Sequence, residues 1–160
     1  MKKFVAMLSV MAILCGCQST PVITPELSAI NAVYAVDATI PANSKSPAEV
    51  LDKMRSINLT GCPKDFVSAY NDYIDAWQSM ADLSKKMYAL DMPKASSDMA
   101  NFLSNFRSSP IASAVALKKD WPAFANEIDV ATSRIFNAFV ALKSIGVKYD
   151  AIYPKANNLF

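Results

Sequence analysis

Beyond residue 24, apolar residues recur at three- and four-residue spacing along nearly the whole chain, which predicts helices. Thr24-Pro25 reads as a cap followed by proline at the first helical position. It opens a helix to about Asp37, with Leu27, Ile30, Val33 and Tyr34 on one side. A loop over 39–46 leads to Ser46-Pro47-Ala48-Glu49, a capping box, and then to Val50, Leu51, Met54 and Ile57. The chain breaks at 58–62, and Pro63 opens the longest segment, to about Leu90. Phe66, Tyr70, Tyr73, Ile74, Trp77, Met80 and Met87 mark its apolar face, while Asp65, Asp72, Asp75, Asp82, Lys85 and Lys86 mostly fill the other. Met92-Pro93 is expected to end that helix. A shorter one follows, with Met99, Phe102, Leu103 and Phe106, interrupted at Pro110, and helix is expected to resume over 112–119. Asp120-Trp121-Pro122 caps the last long helix, striped by Phe124, Ile128, Ile135, Phe139 and Leu142, with Gly146 as its stop. The tail from Val147, with Tyr149, Ile152 and Tyr153, is expected to fold back over the bundle.

The turn chemistry agrees. Only Gly61 and Gly146 occur after residue 16, against nine prolines, and no Asn-Gly or Asp-Gly pair exists to close a β-hairpin. The expected fold is all-α: an up-and-down bundle of four to five helices over residues 25–160. No internal repeat or low-complexity stretch appears.

The first residues follow a different pattern. Met1-Lys2-Lys3 is a positive start, and residues 4–14 are apolar except for Ser9. Eleven helical residues reach only ~16 Å, about half of a bilayer core of ~30 Å, so the run suits an export leader rather than a spanning helix. It ends in Leu14-Cys15-Gly16-Cys17, followed by Gln18-Ser19-Thr20. This resembles the lipobox of bacterial lipoproteins, with an aliphatic residue three places before the modified cysteine and a small one directly before it. Cys15 departs from the usual Ala or Ser at its position. The resemblance implies that 1–16 is a signal peptide that is removed, that Cys17 is lipidated, and that 17–24 is a tether. Gln18, rather than Asp, implies sorting to the outer membrane, with the domain facing the periplasm and inner-membrane anchoring as the alternative. Seven residues of leash span at most ~25 Å.

Charge removes some function classes. Sixteen basic residues face 14 acidic ones, and loss of Lys2 and Lys3 with the leader brings the balance to zero. A neutral domain lacks the bulk electrostatic footprint of a nucleic-acid binder. The absence of His removes the commonest general base and metal ligand. No metal or cofactor is expected.

Two features could carry chemistry. Cys62 lies in Gly61-Cys62-Pro63 at the start of the longest helix, where a helix dipole favours a thiolate. It is a candidate reactive thiol, although neither a histidine nor a second thiol in the mature chain is there to assist it. Phe66, Tyr70, Tyr73 and Trp77 form an aromatic ladder that is a candidate partner- or ligand-binding face. Three of the four carry polar groups, so one edge is expected to reach water. The pairs Asp72/Asp75 and Glu127/Asp129 read as solvated helix faces. The function expected is non-enzymatic: an envelope lipoprotein, held on the membrane through Cys17, whose bundle binds another envelope protein as an assembly or inhibitory module. The alternatives are a bundle that holds an apolar ligand and a hydrolase using carboxylates.

Replacing Cys17 with Ala should abolish incorporation of labelled palmitate and leave an uncleaved or soluble product. Labelled, membrane-bound protein from that variant would reject the assignment.

Overall fold

A computed structural model describes residues 23–155. The leader, Cys17 and most of the tether lie outside the described residues. Among those described, the protein is an all-α helical bundle without strands. Six α-helices occur: α1 (Pro25–Asp37), α2 (Pro47–Arg55), α3 (Lys64–Leu90), α4 (Met92–Phe106), α5 (Pro110–Asp120) and α6 (Ala125–Val147). Two 3₁₀ turns, Pro41–Asn43 and Pro122–Phe124, lie between helices. The count exceeds the expected four to five because Pro110 does not merely interrupt a helix. It occupies the first turn of α5, where its missing N–H costs nothing.

Local chemistry sets most boundaries. The Thr24 hydroxyl accepts from the Leu27 amide at 3.1 Å, and the Ser46 hydroxyl accepts from Glu49 at 3.2 Å. The Glu49 carboxylate accepts in turn from the Lys45 amide at 2.8 Å. Asp91 closes α3 and opens α4, its side chain accepting from the Lys94 amide at 3.0 Å. Met92-Pro93 therefore begins α4 as much as it ends α3.

The long helices α3 and α6 run antiparallel, as contacts along their length show. Lys86 pairs with Glu127 at 2.6 Å near one end, and Tyr149, just past α6, donates to Asp65 at 2.9 Å near the other. Their facing sides bury Phe66, Tyr70, Trp77 and Met80 against Ile128, Ile135 and Leu142. α4 and α5 form an antiparallel hairpin. The Trp121 indole, at the end of α5, donates to Asp98 of α4 at 2.8 Å and stacks under the Lys94 ammonium.

The end of α6 differs from expectation. Gly146 is inside the helix, and the residue in the left-handed region is Asp150, at φ 59°. The Ala151 amide returns to the Gly146 carbonyl at 3.0 Å, the six-residue closure of a helix end, and Asp tolerates the left-handed conformation better than most side chains. Gly146 is small for another reason. A Cβ there would lie 2.1 Å from the Tyr34 hydroxyl, and that ring reaches across to donate to the Leu142 carbonyl at 3.1 Å. Gly61, at φ +85°, supplies the left-handed turn before α3. Beyond Asp150 the tail returns to the bundle through Ala151 and Tyr153, while Ile152 faces water.

Gly146→Ala should therefore lower stability by about 1–3 kcal/mol, because the Tyr34 ring is itself packed on all sides. Urea denaturation followed by circular dichroism reads this directly, and an unchanged midpoint would show that Tyr34 can move aside.

Candidate functional site

The aromatic ladder, expected to show a wet edge, is core. Phe66, Tyr70 and Trp77 are fully buried and Tyr73 is 4 % exposed. The rings pack edge-on, stacked or tilted at 5.3–6.5 Å along α3 and onto Tyr34, Phe106 and Phe139. What satisfies the Tyr70 hydroxyl is an acid that the helical pattern had marked only as the end of α1.

Asp37 is 1 % exposed. Its carboxylate accepts from the Tyr70 hydroxyl at 2.9 Å and, through its other oxygen, from the Tyr153 hydroxyl. Arg107 at the end of α4 donates to the Tyr153 hydroxyl at 3.2 Å and to the Pro154 carbonyl at 3.1 Å, with its guanidinium 4.7 Å from the Tyr153 ring centroid. Burial raises the Asp37 pKa. Hydrogen bonds from Tyr153 and Tyr70, and the charge of Arg107, act the other way without cancelling it. The Tyr70 and Tyr153 hydroxyls are pushed upward, first by burial and then by the Asp37 charge, so both stay protonated donors. Chemically this is a latch that joins α1, α3, α4 and the tail.

Sequence reasoning passed over Asp37, although its signal was present. Ile30, Val33, Tyr34 and Asp37 follow 0, 3, 4, 7 spacing, which puts an acid on the buried stripe. The acid also stands in the last turn of a helix, where the dipole disfavours it.

Above the latch lies a cleft of about 260 Å³ between α3, the end of α4, α6 and the tail. Tyr73, Phe106, Phe139 and Tyr153 form its floor and walls, and Arg107 and Lys143 stand at its rim. Of the ladder, only Tyr73 reaches it. A larger groove of about 410 Å³ separates α4 from α5, but its hydroxyls and amides are turned inward. Ser113 donates to the Ser109 carbonyl, Ser108 to that of Asn105, and Asn105 to that of Asn101. Two buried polar atoms, Trp77 Nε1 and Thr132 Oγ1, have no hydrogen-bond partner among the described residues.

Cys62 is half-buried, and burial pushes its thiol up rather than down. Its position just before α3 does not yield the activated thiolate that the helix start suggested. Of the acid pairs, Glu127 and Asp129 are bound to Lys86 and Lys118, while Asp72 and Asp75 are exposed on α3. Among the described residues no group of three or more acids and cysteines is arranged to hold a metal ion. No family model, curated protein or solved structure matches this chain.

A carboxyl whose folded-state pKa lies above its unfolded value binds its proton more tightly when folded. Its contribution to stability therefore falls as pH rises from about 4 through the folded-state value. Asp37→Asn removes that dependence. Urea midpoints of wild type minus variant, measured across acid to neutral pH, should decline as pH rises. A difference that grows with pH would show that the charged form is the one the fold favours.

Proposed function

We propose that this protein is a lipid-anchored envelope module that works by binding another protein rather than by catalysis. The anchor is Cys17, in the lipobox-like Leu14-Cys15-Gly16-Cys17, and Gln18 directs the chain to the outer membrane, with its bundle in the periplasm. The observation that carries the binding role is the outer face of the α5–α6 pair. α6 with its preceding turn is apolar enough to cross a bilayer, yet only 28 % of its most apolar stretch is buried. Its apolarity exceeds what the core uses. Phe136, Val140 and Val147 share one side of α6 and are 47 %, 46 % and 64 % exposed. On α5, Ile111 and Val115 are one turn apart and 76 % and 56 % exposed. The Lys118–Asp129 ion pair at 2.6 Å bridges the two helices near their connection. Isolated exposed apolar residues are ordinary, whereas repeated ones on adjoining helices fit a protein contact. Polar-rimmed helix faces of this kind suit an assembly or inhibitory partner.

The test uses full-length protein solubilised from its own membranes in mild detergent. A stoichiometric co-purifying protein is expected with wild type and should be lost with Val115→Glu and Val140→Glu, while helical circular dichroism stays unchanged. Retention of that protein by both folded variants would place the contact elsewhere on the bundle, and its absence from wild type would remove the binding role.

A further inference from the structure

The cleft above the Asp37 latch has a chemistry of its own, although Phe136 borders both it and the outer α5–α6 face. Its walls are rings: Tyr73, Phe106, Phe136 and Phe139 converge on it from α3, α4 and α6. Its charges have one sign. Arg107, Lys143 and Lys155 line it, and no Asp or Glu does. The nearest acid, Asp37, lies behind Tyr153 and is engaged by two hydroxyls. Lys143 and Lys155 form no ion pair among the described residues, and Lys143 sits 5.5 Å from the Phe139 ring centroid with its ammonium directed over the ring. An apolar cleft with a few convergent polar groups is the usual form of a small-molecule site.

We infer that this cleft binds a small carboxylate carrying an aromatic ring, with the ring among Tyr73, Phe106 and Phe139 and the carboxylate at Lys143 and Arg107. Edge-on and stacked ring packing favours a flat, π-bearing body over a branched aliphatic one. A monoanion matches the cationic rim, and the guanidinium and ammonium supply charge-assisted donors. The volume of about 260 Å³ limits the occupant to one or two fused rings and excludes a lipid with full acyl chains.

The probe is 1-naphthoate, compared with its neutral counterpart 1-naphthamide. Both are titrated by saturation-transfer NMR against the full chain in nanodiscs, with empty nanodiscs subtracted. Naphthoate should bind saturably and about tenfold more tightly than the amide, the difference one charge-assisted contact makes. Lys143→Met, at an exposed position outside the latch, should remove most of that preference while leaving amide binding and circular dichroism unchanged. Equal affinity for the two probes overturns the inference, as does naphthoate binding that survives Lys143→Met undiminished. Failure of naphthoate to saturate overturns it too.

Discussion

The arrangement turns on one buried carboxylate. Removing an ionisable acid from water costs several kcal/mol unless its lone pairs are matched. Asp37 can occupy the bundle interior only because Tyr70 of α3 and Tyr153 of the tail both donate to it. Tyr153 is in turn fixed by Arg107 at the end of α4. Four segments that share one apolar core are thereby also tied through a single polar centre. The contact between α3 and α6 is the most extensive between any two helices, and Asp37 ties the shorter pieces to it.

The cleft follows from the same constraint. Because Tyr153 is drawn down to Asp37, its ring lies edge-on to Tyr34 and Phe139 with centroids at 4.7 Å, and the tail turns outward at Pro154. A hollow is left between that turn, α6 and the end of α4. Arg107 serves both, joining the latch below and the rim above.

Most of the fold was legible as periodicity and punctuation. Thr24-Pro25, the Ser46 capping box and the long stripe from Phe66 to Met87 are local signals, and each leads to the helix it implies. The misreadings share a physical cause. Gly146 looked like a helix stop because glycine is the commonest left-handed residue, but its smallness is required by Tyr34, which is distant in sequence. The ladder looked half-wet because its tyrosines needed partners, and the acid that Tyr70 meets lies 33 residues away. Pairings of this kind leave no short-range trace. Asp37 was the exception, visible as an acid on an apolar stripe, whereas the cationic cleft required knowing that α4, α6 and the tail meet.

The start of the described chain meets the end of α6. Thr24 and Glu26 border the same surface hollow as Lys64 and the turn of Lys148 to Asp150. From that end α3 runs for 27 residues, about 40 Å, to the Leu90–Met92 turn. On the proposed anchoring at Cys17, the end of the bundle with Thr24 would be its foot, and Leu90 and Met92, 70 % and 66 % exposed, would lie at the far end. The bundle would then act as a spacer as well as a surface, with its tip about one helix length from its foot.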